Sequence, residues 1–411
     1  MPVAAERICM YTPSADGGMA RYAQELMTAL AQLPAAGRHF ELISSQDLQD
    51  TFKSDLYRVH CILPALRHRG TYSTRLSWAA GRVDHYVRRE RRLLRWLAAQ
   101  PHVVAVHFQE WTPWLAAGTF RRIRRLGKRI FYTVHNIVPH KYPAFVPPAM
   151  MNGWIRRACR LCDGLFVHTE TLAAQLAGFL GDPHPPIHVT PHGVWTVPQP
   201  ATVPATAERL AWKRLLFFGS IRRNKGLHLL LDAAEQLSGY SITIAGEPHE
   251  REYFRNEIVP RVRRLRDRGA VVELVDRFIP DDQVGELFSR HSAIVLPYTR
   301  DFVAQSGVVF MALAYELPVI ASGAGGLGGL FDEYPIGRTF AGDDPRQLAA
   351  AVHDLFCDRS REGLIRQIRS AKSRLSWTQA ARATAAAYAD APEHKRATEP
   401  HDRMAQTIPA H

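Results

Sequence analysis

The strongest chemical signal is the run Phe217-Phe218-Gly219-Ser220-Ile221-Arg222-Arg223-Asn224-Lys225-Gly226. An apolar, strand-length segment enters a glycine turn, then a basic loop, then a segment of helical spacing from Leu227 to Gln236. Cations fixed beside the carboxyl end of a strand can bind a diphosphate. Arg222 and Lys225 are the candidates, and Arg223 reads as a solvated loop residue. A second signal is Gln305-Ser306-Gly307, placed just before a helical stretch from Val308 to Glu316. The first turn of such a helix offers unpaired backbone N–H groups and the positive end of the helix dipole. Ser306 also suits a plain N-cap, and the two roles are compatible. The third is the glycine-rich run from Ser322 to Gly329, read either as backbone that approaches a ligand closely or as a hinge.

These residues need strands to hold them. Arg7 to Tyr11, His39 to Ser44, Val103 to Phe108, Arg129 to His135 and Gly164 to His168 are apolar runs of strand length. Between them lie helical patterns, including Met19 to Gln32 after a loop from Thr12 to Gly18. The alternation predicts a parallel sheet with helices on both faces, whose ligands sit at the carboxyl ends of the strands. A proline-rich linker, Thr196 to Thr206, interrupts the pattern. It then restarts with Leu215 to Phe218, Ser241 to Ala245, Val271 to Val275, Ala293 to Pro297 and Pro318 to Ala321. Ser376 to Ala389 reads as an alanine-rich helix, and the chain from Pro392 onward as a disordered tail. The expectation is an α/β protein of two similar halves facing a cleft, residues 1–200 and 207–375, with a helix at 376–390 and a tail at 391–411.

Composition sets the outer limits. With 411 residues, 46% hydrophobic and 22% charged, the chain can bury two cores without disulfides. The five cysteines are scattered and odd in number, as suits a reducing compartment. Cys159 and Cys162 form a lone CxxC with no second pair to complete a zinc site, and read as helix-packing residues. Met1 to Tyr11 lacks a basic region followed by an apolar run, so no secretory signal is expected. No apolar stretch reaches the roughly 18 residues of a membrane span. The formal net charge of +13 asks for an anionic partner or surface.

Together these segments resemble the retaining glycosyltransferases of the GT-B fold, in particular the family 4-like "glycosyl transferases group 1", over roughly Arg7 to Tyr388. The glycine pair Gly17-Gly18 matches the family's first loop. Gly219 to Gly226 matches its phosphate loop, with Arg222 in place of the usual arginine at Ser220. Pro191-His192-Gly193-Val194 stands where the family has Asn-Gly-Val after a strand. Ser376 to Tyr388 looks like the helix that crosses back to the first domain. The family's two glutamates, eight residues apart, would fall at Val303 and Met311. Gln305 and Ser306 are expected to supply those contacts, as in a Gln-Ser-Gly variant.

The resemblance implies transfer of a hexose from a UDP- or GDP-sugar to a glycan or polyprenyl-linked saccharide, in the manner of bacterial surface polysaccharide assembly. It implies retention of configuration, with no bound metal and no cofactor beyond the donor itself. Arg222 and Lys225 would offset charge on the leaving diphosphate. His135, in Thr133-Val134-His135-Asn136, would lie near the reacting sugar, and these three are the expected catalytic residues. Gly17, Gly18, Gly219, Gln305, Ser306 and Gly307 would line the donor. Glu110, His140 and Lys141 would face the acceptor, with Glu110 a general base if the reaction inverts. The adjacent pair Asp281-Asp282 reads as an N-cap rather than a metal site. Arg75 to Gln100 interleaves arginines with Trp78, Tyr86, Trp96 and leucines, which suits an anionic membrane surface. The expected location is cytoplasmic, peripheral on the inner face of the membrane. No nucleic-acid motif accompanies the charge. Two rivals share the fold: a non-catalytic scaffold that binds glycan or nucleotide sugar, and a sugar-nucleotide epimerase.

Overall fold

The computed structural model describes residues 6–34, 38–67, 69–139, 146–198, 204–302, 306–323, 327–357 and 361–391. In the first half, strands β1 (Glu6–Tyr11), β2 (Arg38–Ser45), β3 (Arg58–Leu63), β4 (Val103–Phe108), β5 (Arg129–Thr133), β6 (Gly164–Val167) and β7 (Ile187–Val189) form one parallel sheet in the order β3-β2-β1-β4-β5-β6-β7. In the second, β8 (Arg214–Phe218), β9 (Ser241–Ala245), β10 (Val271–Val275), β11 (Ala293–Leu296), β12 (Val319–Ser322) and β13 (Gly337–Phe340) form another, ordered β10-β9-β8-β11-β12-β13. The central strands are largely apolar because helices cover both faces. All four residues of β11 are buried, as are all five of β5.

Each sheet reverses its winding once. Ile8 of β1 pairs with Phe40 on one side and Ala105 on the other. Leu215 of β8 likewise pairs with Ile242 and Ala293. Connections leave these strand pairs in opposite directions, so a crevice opens at their carboxyl ends. The loops there are the ones that carry Gly17, Glu110, Arg222 and Lys225.

The sequence reading missed β3, β7 and β13. β3 and β7 lie at the edges of their sheet, and none of the three is fully buried. Arg58 and His60 of β3, His188 of β7 and Arg338 and Thr339 of β13 interrupt them, so no continuous apolar run announces them. Helix α1 spans Gly17–Ala31 and starts two residues earlier than expected, with Gly17 in the left-handed region at φ +72°. The other helices of this half are α2 (Arg75–Ala98), α3 (Pro113–Arg125), α4 (Pro148–Cys159) and α5 (Glu170–Leu180). Cys159 and Cys162 are buried free thiols, in keeping with a packing role.

The closing helix, Trp377–Asp390, is capped by Ser376, whose side chain accepts the Gln379 N–H. It does cross back. Tyr388 is fully buried among Ile8, Ala105, Phe131 and Phe166 of the first sheet. Its hydroxyl meets His107 Nδ1 at 2.5 Å, and Arg129 donates to the carbonyls of Tyr388 and Ala391 at 2.9 and 3.1 Å. At the other end Trp377 packs against Gly193 so closely that a Cβ there would lie 2.2 Å from the indole. Among the described residues, no helix is long and apolar enough to cross a membrane.

Candidate active site

The loop after β8 is pinned from both sides by backbone. Gly219, at φ +106°, donates its N–H to the Ala245 carbonyl at 2.9 Å, and the Ile221 N–H donates to Glu247. A Cβ on Gly246 would strike the Gly219 oxygen at 1.9 Å. Gly226 has φ +65°, and a Cβ there would lie 1.7 Å from the Pro297 oxygen. Only glycine fits, so Arg222 and Lys225 leave from a loop whose two ends are fixed.

The three cations of this loop part company. Arg223 is not simply solvated: it pairs with Glu257, stacks on Tyr253 at 4.9 Å, and its N–H binds Glu250 at 3.0 Å. It anchors the loop away from the cleft. Arg222 is exposed and donates to His249 Nδ1 at 2.8 Å. Since arginine can only donate, the His249 proton must sit on Nε2, which points at Glu247, 3.5 Å away. Lys225 is drawn inward. Its Nζ lies 3.8 Å from the centre of the Tyr298 ring and 4.2 Å from that of Phe302. Burial, with the Arg222 charge as a second cause, lowers its pKa to about 7.

Gln305 lies outside the described residues. Ser306 does not behave as the sequence suggested. It stands at the N-cap of the helix Gly307–Ala314, but its side chain caps nothing. Only 2% exposed, its hydroxyl bonds instead to the Tyr298 hydroxyl at 2.7 Å. What remains for a ligand at this helix start is backbone. The Gly307 carbonyl accepts from Trp195 Nε1 at 2.7 Å, and Phe310 stacks on His192 with ring centres 3.9 Å apart. The helix start is therefore fixed against the segment that joins the two halves.

On the facing side, His135 follows β5. Its Nε2 meets Gln109 Oε1 at 2.9 Å, and its ring sits edge-on to Tyr22 at 4.7 Å. His168 and His192 flank the same tyrosine at 5.5 and 5.2 Å. Burial, then the neighbouring histidines, holds His135 well below its ordinary pKa, so it is neutral at pH 7. His168 falls to about 4 for the same first reason. His168 Nδ1 donates to the Thr190 carbonyl at 3.0 Å, which leaves Nε2 buried and unpaired. Glu110 accepts from Ser14 at 2.6 Å and Thr12 at 3.5 Å, both on the first loop. Gly17 and Gly18 have open space where a Cβ would go, so the loop leaves room beside them. His140 and Lys141 lie outside the described residues.

Other expectations shift. Asp281 and Asp282 occupy the first turn of the helix Asp281–Ser289, with Pro280 as N-cap, so they complement its dipole rather than cap it. Asp281 also reaches Arg21 across the cleft at 3.9 Å. Of the glycine run, residues 324–326 lie outside the described set. Gly329 is in a helix, where a Cβ would meet Thr171 of α5 at 2.4 Å, so that close approach is between the halves and not to a ligand. Arg89 was expected on a lipid-facing helix surface, but it is 6% exposed and donates to Thr112 at 2.6 Å. Glu90, equally buried, lies beside it at 3.5 Å. A cavity of about 490 Å³ lined by Arg7, Arg38, Glu41 and Arg58 opens at the amino ends of the strands, away from all these groups. No cluster of three or more metal-ligating side chains occurs among the described residues.

Sequence reasoning missed Gln109, His249, Tyr298 and Trp195. Tyr298 had a usable signal, since it follows Pro297 at the carboxyl end of β11, the strand beside β8. The others act through contacts between distant elements and carry no local pattern.

Two facing sheets of this kind, a crossing helix and a pinned basic loop at the second switch point define a GT-B architecture. The Glycosyltransferase Family 4 model matches residues 16–196, and the Glycosyl transferases group 1 model matches residues 212–358. The chain belongs to the GT-B glycosyltransferases of the family 4 type. It is 26% identical over 218 residues to the GDP-mannose:glycolipid 4-beta-D-mannosyltransferase of Xanthomonas campestris pv. campestris. That match spans 50% of this chain and 53%, about half, of the relative. Sucrose-phosphate synthase from Thermosynechococcus elongatus superposes with a TM-score of 0.71 at 20% identity, covering 93% of this chain and 98% of that one. Anabaena HepE in complex with UDP superposes at 0.67 and 12% identity, covering 93% and 99%.

Proposed function

We propose that this glycosyltransferase moves a hexose from a UDP- or GDP-sugar to a glycan or polyprenyl-linked saccharide at the cytoplasmic face of a membrane. One observation carries the reading: an unbroken run of contacts joins the two switch points. His135 touches Tyr22, Tyr22 touches His192, and His192 stacks on Phe310 of the helix that starts at Gly307. Beside that start, Ser306 holds Tyr298, and Tyr298 holds Lys225. In this reading Arg222 and Lys225 neutralise the leaving diphosphate. The Gly307 backbone lines the phosphates, and neutral His135 bonds a sugar hydroxyl. The GDP-mannose and glycolipid in the curated relative's name favour the same substrate classes for this chain.

The test is a thermal-shift screen of UDP-, GDP- and ADP-sugars, followed by transfer onto polyprenyl-diphosphate glycans. Lys225→Ala is expected to lose about 10²–10³-fold in turnover while keeping its melting temperature. Unchanged turnover would remove the phosphate role. Donor binding without transfer to any acceptor would favour a scaffold, and donor conversion with no acceptor an epimerase.

The resemblance favours retention of configuration. The placement of Glu110 supports inversion as a second reading, since Thr12 and Ser14 hold this part-exposed carboxylate at the first switch point. A base there would take the acceptor proton. The anomeric signal of the first-formed product, read by proton NMR, decides between the two.

The membrane part of the proposal rests on a face, not on the whole of Arg75 to Gln100. Exposed Leu76 and Val83 on α2 are followed by exposed Arg88, Arg91 and Arg95. In the same half, a groove of about 460 Å³ between α3 and α4 is lined by Arg121, Arg156, Arg157 and Arg160. Apolar anchors next to clustered cations suit an anionic bilayer. Flotation with liposomes containing anionic lipid is expected to fall severalfold in an Arg88→Gln/Arg91→Gln/Arg95→Gln variant. Undiminished flotation would count against this face.

A further inference from the structure

Lys225 is an odd residue for a phosphate loop, because its amine lies over two aromatic rings. The Nζ rests on the Tyr298 and Phe302 rings, whose own centres are 4.2 Å apart. No acceptor for it occurs among the described residues. Among the described residues, Arg222 of its own loop is the one charge that acts on it appreciably, and that charge repels. The other titratable group in contact is the Tyr298 phenol. Burial keeps that group protonated, and it is bonded to Ser306. Among the described residues, no carboxylate compensates the amine.

The rings are themselves held in place. The Tyr298 carbonyl accepts from Ser322 at 2.6 Å, its hydroxyl is tied to Ser306 at 2.7 Å, and the next residue, Thr299, donates its N–H to the Asn224 carbonyl at 3.1 Å. The loop after β11 thus clasps the phosphate loop one residue before Lys225. An ammonium over aromatic faces gains some cation–π attraction. It also loses water, and with no acceptor present the cost of keeping its charge rises.

We propose that Tyr298 and Phe302 form a box that stores Lys225 as a free amine in the donor-free enzyme, and that Tyr298 is the positioning residue which makes donor binding take up a proton. The inference rests on the reading of Lys225 as a diphosphate ligand. On binding, the amine takes one proton from solvent, leaves the rings, and pairs as ammonium with a phosphate oxygen. No bond to the donor forms or breaks. Both phosphates of a nucleotide sugar are diesters that stay singly ionised near neutrality, so the donor itself supplies no competing titration.

The experiment is calorimetry at pH 8.0 in HEPES and in Tris, whose ionisation enthalpies differ. The ligand is whichever of UDP-glucose and GDP-mannose gives the larger thermal shift. With the amine's pKa near 7 when empty, uptake of roughly 0.9 proton per donor is expected, and affinity should fall about 15-fold from pH 7 to pH 8.5. Tyr298→Ala lets water reach the amine, so uptake should drop towards zero and the affinity should become nearly independent of pH. Tyr298→Phe keeps the ring and should keep the uptake. Uptake below about 0.2 in the unsubstituted enzyme, with flat affinity across that range, would overturn the storage box. Lys225→Met separates the two ideas. If it weakens binding while the unsubstituted enzyme takes up no proton, the phosphate role stands and the box fails. If it binds donor as the unsubstituted enzyme does, with the same uptake, the phosphate role itself fails. The pH series on the unsubstituted enzyme decides even if Tyr298→Ala does not fold.

Discussion

The two sides of the cleft are built in different ways. The side proposed to hold the donor is fixed by backbone: Gly226 and Gly246 let chains pass where no Cβ fits, and the cations hang from the loop they hold. The facing side is fixed by side chains: His135 leans on Gln109 and Tyr22, and Glu110 on Ser14 and Thr12. Backbone fixing suits a constant group such as a diphosphate. Side-chain fixing changes with single substitutions, which suits the side that must fit a particular acceptor. The difference also predicts how each side breaks.

The largest effect should come from Gly226→Ala. The left-handed backbone and the 1.7 Å approach to Pro297 would together cost about 3 kcal/mol or more. Donor binding should be lost along with several degrees of melting temperature. Gly219→Ala, whose Cβ would meet only Val308 at an ordinary 3.8 Å, tests the same loop more gently and should cost about 1–2 kcal/mol. If the two were equally damaging, contact with Pro297 would not be what fixes the loop.

On the other side, Gln109→Leu removes the acceptor from His135 without disturbing the donor loop. Turnover should fall about 10–100-fold with donor affinity unchanged. Weakened donor binding in this variant would mean that the two sides are not independent.

Acid should act on the histidine side first. His168 titrates near 4 in the folded protein against 6.5 unfolded. Its folded pKa is depressed, so its contribution to stability is complete above pH 6.5 and is lost as the pH falls towards 4. At pH 5 the loss is about 2 kcal/mol from this residue. His107, at about 3, adds a similar loss. Thermal melts at pH 7, 6 and 5 should show this decline, and it should shrink in a His168→Gln variant. The smallest effect belongs to Asp281→Asn. The reach of this exposed carboxylate to Arg21 at 3.9 Å should contribute under about 1 kcal/mol, in a salt-sensitive way.

Much of this was legible in the sequence, for a physical reason. Central parallel strands are buried on both faces, so β4 and β9 appear at their full length as apolar runs bounded by turns. The glycines of the phosphate loop mark backbone conformations that other residues resist, which is why Gly219 to Gly226 stood out. What stayed hidden depends on contacts between distant elements. No local pattern shows that Ser306 gives its hydroxyl to Tyr298 rather than to its own helix, or that Arg89 turns inward while Arg88 and Arg91 do not. A run of arginines in α2 reads as a uniform basic surface until packing against α3 buries one of them.

The bond from Tyr388 to His107 spans 281 positions of sequence. The first sheet is made of residues that leave the ribosome well before the helix that covers part of its face. At about 5–20 residues per second, that face waits on the order of 14 to 56 seconds for its cover. During translation the early half is an unfinished object, sealed only when the later half, donor loop included, has been made. On the proposed reading, competence to bind an acceptor and competence to hold a donor are thus completed together.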